Sequence, residues 1–277
     1  MVDTSASGAD LLGLMGEFRE LRDEFTRFML CYQFGIDEVT TKIKILQQEF
    51  THIHAYNPIE HVSSRLKTPE GVLAKAQRRG VSPDLESVRA EITDIAGVRV
   101  TCAFVSDVYR VFDLFTGQQD VQLMLTKDYI ASPKPNGYRS LHAIVQVPVF
   151  LSDETVLVPV EVQFRTIAMD FWASLEHKIY YKYETQVPQQ LLDGLHEAAT
   201  TAARLDSDME QLHHEIRGHP EQEPVPQAAG PTVEVSDRAL AALRDFIAAD
   251  EPAAGSTSGS DDRDAEQDPP PSGPIPV

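Results

Sequence analysis

The clearest pattern along the chain is an alternation of apolar and polar residues from Thr155 to Arg165. A period of two is typical of a half-buried strand, and it predicts that Glu161, Gln163 and Arg165 lie in a row on one face of a sheet. Burying a carboxylate, an amide and a guanidinium together is costly unless a polar ligand lies above them. The commoner alternative for a single charged strand is a solvated sheet edge.

The spacing becomes helical in the segment after this strand, IAMDFWASLEHKIYYKY. Phe171, Leu175 and Ile179 recur every four residues, which predicts a stripe facing the core. Lys178 and Lys182 are also four residues apart, and like charges at this spacing repel each other unless an anion lies between them. Strand and helix together are expected to present one carboxylate and several cations to a shared ligand.

Similar patterns predict the other elements of the chain. Thr68 followed by Pro69 predicts the N-cap and the first position of a helix. Arg65 and Lys67 come just before that helix, whose N-terminus favours anions. The remaining predictions are two amphipathic helices between residues 10 and 56, strands at 98–104, 121–125 and 142–150, a helix at 108–115, and a long helix from 188 to about 217.

The composition excludes several classes of protein. With 277 residues and 42% hydrophobic content, the chain can build a sizeable core. Two cysteines without a C-x-x-C pattern predict neither a disulfide framework nor a zinc site, and they favour a reducing, cytoplasmic compartment. We expect no membrane anchor, because no apolar stretch approaches the roughly 18 residues that span a bilayer.

The net charge of −19 is concentrated toward the C-terminus. Residues 218–277 hold twelve acids against three arginines, and ten of the 18 prolines, which predicts a disordered tail. Within this tail, residues 236–250 are capped and periodic and are interpreted as a transient or partner-binding helix. The remaining body is also acidic, which argues against a general nucleic-acid binder, and no DNA partner is expected.

Basic and aromatic residues nevertheless cluster in the loop SPKPNGYRSLH. Its prolines and its Asn-Gly pair force a turn, and the loop brings together Lys134, Tyr138, Arg139 and His142. An aromatic ring among cations suits a nucleotide, because the ring stacks on a base while the cations hold phosphates. The alternative is a tyrosine that packs on the core at the end of a loop.

Two carboxylates complete the candidate chemistry. Asp94 lies at the entrance of the strand that carries Arg99, and Glu161 lies in the charged row. Mg²⁺ prefers one or two carboxylates together with substrate phosphate oxygens, and cations neutralise the charge that develops in phosphoryl transfer. No Walker motif or kinase glycine loop is present. The residues by themselves therefore indicate a metal-dependent transferase that acts on nucleotides.

The segments HVSSRLK, DIAGVRV, KDYI with PKPNGYRSLH, and VEVQFRTIAMDFWASLEHKIYYKY resemble, in order and spacing, the synthetase domain of the RelA/SpoT alarmone enzymes. The likeness covers roughly residues 35–217 and is nearest to free-standing small alarmone synthetases of the RelQ type. It implies an α+β fold, with a mixed sheet flanked by helices and related to nucleotidyltransferases. It also implies transfer of pyrophosphate from ATP to the 3′-hydroxyl of GDP or GTP, giving ppGpp or pppGpp and AMP.

Carried over by position, the resemblance implies a role for each candidate residue. Asp94 and Glu161 would hold Mg²⁺, and Glu161 is the favoured candidate to activate the ribose hydroxyl. ATP would be held by Arg65, Lys67, Lys75 and Arg99. Tyr138 would stack on guanine, and the acceptor nucleotide and phosphates would be lined by Lys134, Arg139, His142, Gln163, Arg165, His177, Lys178 and Lys182.

The resemblance also implies an assembly and a control site. We divide the chain into a helical segment (1–34), the synthetase domain (35–185), an oligomerisation helix (186–217) and the tail (218–277), and expect a homotetramer. Lys44 and Glu60 match an effector cleft that binds pppGpp in many relatives. His61 stands where an aromatic residue is expected, and Thr40 where a lysine is expected, so activation by pppGpp stays open.

Two rival functions are kept. Relatives of the same fold pyrophosphorylate the 3′ end of tRNA, although the acidic body disfavours that substrate. A second rival is an inactive regulator that binds nucleotides or single-stranded RNA, which the presence of both Asp94 and Glu161 disfavours. None of the nine histidines is followed by Asp, so the metal site of the family's hydrolase domain is absent and synthesis without hydrolysis is predicted.

Overall fold

The computed structural model describes residues 8–180 and 188–217. Six helices and five strands lie within these ranges. Their bounds are α1 Gly8–Ile53, β1 Ile59–Leu66, α2 Pro69–Arg79, α3 Leu85–Glu91, β2 Ala96–Cys102, α4 Val105–Thr116, β3 Gln122–Asp128, β4 Leu141–Phe150, β5 Thr155–Thr166, α5 Ile167–Tyr180 and α6 Gln189–Arg217.

The strands form one mixed sheet in the order β1-β2-β5-β4-β3. β2 and β5 are parallel, whereas the other neighbours are antiparallel. β4 and β5 form the expected hairpin across the turn at Ser152 and Asp153. The predicted α+β class, with a mixed sheet flanked by helices, is confirmed.

The apolar face of the sheet forms the main core. Val160, Val162 and Phe164 of β5 point to this face, and all three are fully buried. Phe112 of α4 contacts the ring of Phe164 edge-on, and Phe115 of the same helix contacts it at a tilt. The opposite face of β5, which carries the charged row, is thereby left for the candidate site.

The N-terminal segment is one continuous helix, so the prediction of two helices there is wrong. Gly35 lies inside α1 and does not break it. A Cβ atom at Gly35 would lie 2.7 Å from Cγ1 of Val158 and 3.2 Å from Cγ2 of Val160. The missing side chain lets α1 pass directly over β5, so this glycine allows close packing and does not mark a turn.

The core-facing stripe predicted for α5 is also wrong. Phe171, Leu175 and Ile179 are 66%, 40% and 37% exposed. The helix instead buries Trp172 and Ala173, about one residue further round. Because α5 is apolar on two adjacent faces, the spacing alone did not distinguish them, and the packing against α6 decides which face is buried. The Trp172 indole N–H donates to the carbonyl of Leu195 at 2.9 Å.

β1 was not predicted as a strand. It is an edge strand whose side chains are mostly exposed, so it lacks the apolar alternation that identified the inner strands. Pairing with β2 from Ile59↔Cys102 to Leu66↔Ala96 gives β1 its conformation. The candidate residue Arg65 therefore lies on a sheet, directly opposite Gly97.

Several predictions fall outside the described residues. They are Lys182, the disorder of residues 218–277 and the helix at 236–250. The proposed domain boundaries also stay predictions, although α1 runs without a break across residues 34 and 35. In the part of the chain that the structure describes, no helix combines the length and the apolarity that crossing a bilayer requires.

Replacing Gly35 by Ala should lower the free energy of unfolding by about 1–3 kcal/mol, because the added methyl group collides with Val158. Urea denaturation monitored by circular dichroism measures this change. Gly16 of the same helix is the matched control, since a Cβ atom there meets nothing within 4 Å. Gly16→Ala should leave stability unchanged or raise it by up to ~1 kcal/mol. Equal effects of both substitutions would contradict the close-packing argument.

Candidate active site

The strand register assembles the candidate residues on the polar face of the sheet. Directly paired residues of neighbouring strands point to the same face. One cross-sheet row consists of Ser63, Arg99, Gln163, His142 and Lys127. The adjacent row places Arg65 opposite Gly97 and Gly97 opposite Glu161. Arg65 lies across Gly97, where a Cβ atom would be 3.5 Å from the Arg65 Cγ atom.

Five side chains on this face form a closed ring of hydrogen bonds. Glu161 Oε1 lies 3.2 Å from His142 Nδ1, and His142 Nε2 lies 2.8 Å from the Tyr138 hydroxyl. Arg165 Nη2 donates to that hydroxyl and to Gln163 Oε1, both at 2.8 Å. Gln163 Nε2 donates to Glu161 Oε2 at 2.8 Å and closes the ring. We assign the neutral tautomer of His142 with the proton on Nδ1, because every bond then has one donor and one acceptor.

Glu161 is the common acceptor of this ring. Burial acts to raise the pKa of Glu161, but its interactions with His142 and a further hydrogen bond from Gln163 outweigh this effect and hold the pKa below the ordinary value. The neighbouring charge of Asp94 acts in the opposite direction. Glu161 is therefore ionised at neutral pH, partly buried and close to a second carboxylate.

Asp94 lies in the turn before β2 and is paired with two lysines. Its Oδ2 atom is 2.5 Å from Lys75 Nζ and 3.2 Å from Lys67 Nζ. Burial raises the pKa of Asp94, but the two lysines more than offset this and the pKa falls below its ordinary value. The other oxygen, Oδ1, is buried and accepts no hydrogen bond from a described residue. One oxygen thus neutralises cations while the second is available to a ligand.

Arg99 and Arg165 share a carboxylate that the sequence interpretation did not include. Asp170 Oδ1 lies 3.1 Å from Arg99 Nη1 and 3.0 Å from Arg165 Nη1. Both arginines also carry a buried Nε–H group without a partner among the described residues. These donors lie at a cavity, where a bound ligand can accept from them.

Tyr138 lies at the centre of an aromatic and cationic cluster. Lys134 Nζ lies 4.7 Å from the centroid of its ring, and the Arg165 guanidinium lies 5.3 Å from it. The ring also contacts Tyr129 and Trp172. The residue is only partly buried: it packs on the small cluster around Trp172, and it also lines the cavity. Its stacking on a nucleotide base stays a prediction.

A cavity of about 530 Å³ opens above the polar face. It lies between β1, β2, β5 and α5. Seven of the predicted site residues line it, namely Arg65, Arg99, Tyr138, Gln163, Arg165, His177 and Lys178. Glu161 and His142 contact these residues from below, and Asp94 holds Lys67 and Lys75 together beside them. The structure therefore brings most of the predicted donor and acceptor residues to one place.

Other predicted residues lie elsewhere. Arg139 does not line the cavity. It lies near Asp206 of α6, whose pKa is raised by burial, and the charge of Arg139 opposes part of that rise. The role of Arg139 toward the acceptor nucleotide stays a prediction. Lys44, Glu60 and His61 are exposed where α1 meets β1, away from the cavity lining. His61 Nε2 lies 3.3 Å from Thr101 Oγ1, and the effector role of this group stays a prediction.

Residues that sequence reasoning missed come mainly from α5 and α6. Asp170 and Glu176 belong to α5, and Glu176 accepts from Asn136 of the tyrosine loop at 3.2 Å. Asp206 of α6 accepts a buried hydrogen bond from Thr166 at 2.7 Å. Asp170, Ser174 and His177 recur at helical spacing, which was a usable signal. The wrong orientation of α5 concealed it.

The donor set fits a magnesium ion held partly by substrate. No cluster of three or more His, Cys, Asp or Glu side chains suited to a metal occurs in the described ranges. Asp94 supplies a buried, unpartnered oxygen, and Glu161 lies near enough for the two charges to interact. Two carboxylates are the usual protein share of a Mg²⁺ site completed by phosphates and water.

The comparisons with known proteins agree with this geometry. Residues 64–186 match the family described as a region found in RelA / SpoT proteins. The chain is 45% identical over 202 residues to the GTP pyrophosphokinase YwaC of Bacillus subtilis, which covers 73% of this chain and 96% of the relative. The chain belongs to the small alarmone synthetases of the RelA/SpoT family.

Solved structures of small alarmone synthetases share the fold. Small alarmone synthetase 2 of Bacillus subtilis superposes with a TM-score of 0.64 at 46% identity, covering 69% of this chain and 99% of that one. Small alarmone synthetase 1 of the same organism, bound to its product pppGpp, gives a TM-score of 0.65 at 34% identity, covering 70% and 98%. The likeness to these synthetases thus extends over nearly their whole length.

Replacing Tyr138 by Phe should lower the free energy of unfolding by about 1–2 kcal/mol, because the buried His142 and Arg165 lose a shared partner. Thermal and urea denaturation measure the loss. Tyr129→Phe is the control, since the Tyr129 side chain makes ring contacts but its hydroxyl has no hydrogen bond to another described residue. If both variants were as stable as the wild type, the hydrogen-bond ring would not contribute to stability.

Proposed function

We propose that this protein transfers the pyrophosphate group of ATP to the 3′-hydroxyl of GDP or GTP, releasing AMP and forming ppGpp or pppGpp. The observation that carries the proposal is the position of Glu161, an ionised and partly buried carboxylate between a cluster of cations and a tyrosine that faces the same cavity. The membership of the chain in the small alarmone synthetases supports it.

The donor nucleotide is assigned to the side of the cavity formed by β1 and β2. Arg65 and Arg99 line this side and present flat guanidinium groups on which a base can stack. Lys67 and Lys75 lie beside them, paired with Asp94. We infer that the phosphates of bound ATP pair with these two lysines. The Asp94 carboxylate then loses its ion pairs with the lysines and becomes available when ATP binds.

The acceptor nucleotide is assigned to the side that carries Tyr138. The guanine stacks on this ring, while Lys134 and Arg165 hold phosphate oxygens. Glu161 accepts the proton of the ribose 3′-hydroxyl. The oxygen then forms a bond to the β-phosphorus of ATP, the bond from that phosphorus to the α-β bridging oxygen breaks, and AMP departs with the electron pair.

Asp94 and Glu161 are the residues proposed to hold Mg²⁺. A bound magnesium ion would neutralise charge on the transferred phosphates. The chain's own contribution is to keep both carboxylates ionised. His142 and Gln163 do this for Glu161, and Lys67 and Lys75 do so for Asp94.

The function is tested by incubating the purified protein with γ-labelled ATP, Mg²⁺ and one acceptor at a time. A labelled guanosine tetraphosphate from GDP or pentaphosphate from GTP is the expected result. Comparing the rates with GDP, GTP and GMP ranks the three acceptors. Label on purified tRNA alone would replace the proposal by tRNA pyrophosphorylation. Binding of both nucleotides without transfer would leave a regulatory binding protein.

Replacing Glu161 by Gln should reduce the transfer rate by about a hundredfold or more, because the amide cannot accept the proton. Titration calorimetry with GDP should still detect binding. Glu154→Gln serves as the control, since Glu154 is an exposed partner of Arg27 in the hairpin turn and should not affect transfer. Normal turnover by Glu161→Gln would contradict the assigned role.

We further propose a homotetramer in a reducing, cytoplasmic setting, which the two buried free thiols of Cys31 and Cys102 suit. A row of exposed apolar side chains on α5, at Ile167, Phe171, Leu175 and Ile179, supports the assembly. Exposed apolar patches of this kind usually mark protein interfaces. A (p)ppGpp molecule or a single-stranded RNA is the candidate regulator.

Replacing Phe171 by Ser should reduce the oligomeric state, because this side chain is 66% exposed in one copy of the chain. Light scattering coupled to size exclusion measures the mass, which for the wild type should correspond to four copies. Phe150→Ser is the control, since Phe150 is 75% exposed at the far end of β4. A wild-type monomer would contradict the assembly, and an unchanged mass in Phe171→Ser would exclude α5 from the interface.

A further inference from the structure

Asp170 connects two strands of the site through a single oxygen atom. Its Oδ1 atom pairs with Nη1 of Arg99 on β2 at 3.1 Å and with Nη1 of Arg165 on β5 at 3.0 Å. The side chains of Asp170 and Arg165 are 16% and 6% exposed, so the pair between them is largely shielded from water. Ion pairs of this kind contribute more to geometry than exposed ones do.

The two arginines need such a carboxylate because they repel each other. In the parallel register of β2 and β5, Arg99 is opposite Gln163 and Thr101 is opposite Arg165, so the guanidinium groups are diagonal neighbours. Burial lowers the pKa of Arg99, and the charge of Arg165 lowers it further, whereas Asp170 acts against both. Without Asp170 the guanidinium groups would be expected to separate.

The position of Asp170 is fixed from outside the cavity. It lies in the first turn of α5, where the backbone N–H of Met169 donates to Thr166 Oγ1 at 3.1 Å. Thr166 in turn donates to the buried carboxylate of Asp206 on α6 at 2.7 Å. The start of α5 is thus held by both β5 and α6, and this anchoring aims Asp170 at the sheet.

We propose that Asp170 is a positioning residue that holds the donor-side Arg99 and the acceptor-side Arg165 at a fixed separation, and so aligns the two nucleotides for transfer. The assignment of the two sides rests on the function proposed above. Asp170 is not expected to contact the transferred phosphates, because its bridging oxygen is already taken by the two arginines.

The two arginines should depend on Asp170 to different degrees. Arg165 keeps the Tyr138 hydroxyl and Gln163 Oε1 as partners at 2.8 Å when Asp170 is removed. Arg99 is more exposed, at 36%, and its pair with Asp170 is its only ion pair within the described residues. Loss of the carboxylate should therefore weaken the ATP side more than the GDP side.

The test compares Asp170→Asn with the wild type in binding and in turnover. Titrations with a non-hydrolysable ATP analogue and with GDP should show the dissociation constant of the analogue rising about tenfold and that of GDP less than about threefold. The KM for ATP should rise in parallel, and kcat at saturating ATP should also fall, because the two nucleotides are then less well aligned for transfer. Asp120→Asn, which removes the exposed partner of Lys42, is the control and should change none of these values.

Two further variants separate positioning from a general loss of structure. Asp170→Glu keeps the charge and should recover part of the ATP affinity that Asp170→Asn loses. Adding Asp170→Asn to Arg99→Gln should weaken ATP binding little beyond the single Arg99→Gln change, because Asp170 acts through that arginine. Thermal denaturation of each variant shows whether it is folded.

Three results would overturn the proposal. They are unchanged ATP binding by Asp170→Asn, equal weakening of ATP and GDP, or fully additive losses in the double variant. A wild-type protein that binds both nucleotides but transfers nothing would refute the proposed function instead. The binding titrations would still decide the positioning role in that case.

Discussion

The carboxylate of Glu161 is largely removed from water, so it must be hydrogen-bonded or paired, or it takes up a proton. This constraint explains much of the arrangement around it. His142 and Gln163 satisfy its two oxygens, and Arg165 supplies hydrogen bonds that run through Tyr138 on one side and Gln163 on the other. The same bonds that keep the carboxylate ionised therefore also orient the tyrosine and the arginine that face the cavity.

Packing on the apolar face of the sheet holds these polar side chains in position on the opposite face. Gly35 lets α1 lie directly on Val158 and Val160, and Phe164 is enclosed by the phenylalanines of α4. Such packing holds the strand register, and the register sets which polar residues are neighbours on the other face. The anchoring of α5 by Asp206 and Thr166 adds a rigid element above the sheet.

The sequence was informative where one strong periodicity was present. The alternation in β5 identified the face with Glu161, Gln163 and Arg165 correctly, and the Thr68-Pro69 signal located α2 correctly. Edge strand β1 has no such alternation, because most of its side chains are exposed. Its conformation comes from its pairing with β2, which the sequence pattern did not reveal. Gly35 could not be distinguished from a helix end until the strand beneath it was known.

The orientation of α5 shows most clearly what a pattern cannot provide. Two adjacent faces of that helix are apolar, so Phe171 and Trp172 were equally good candidates for the core. The choice depends on contacts with α6, which are distant in sequence. The same error hid Asp170, although its helical spacing with Ser174 and His177 places these residues on one face of α5. Its pairing with arginines of two different strands became visible only in the folded structure.

The most direct test uses phosphorus NMR to track the ATP phosphates in a reaction of the wild-type protein with ATP, Mg²⁺ and GDP. The account predicts AMP and a guanosine 3′-diphosphate product in equal amounts, with the β- and γ-phosphates of ATP transferred together and no ADP formed. The appearance of ADP with a singly phosphorylated 3′-hydroxyl would contradict it, because attack would then have occurred at the γ-phosphorus.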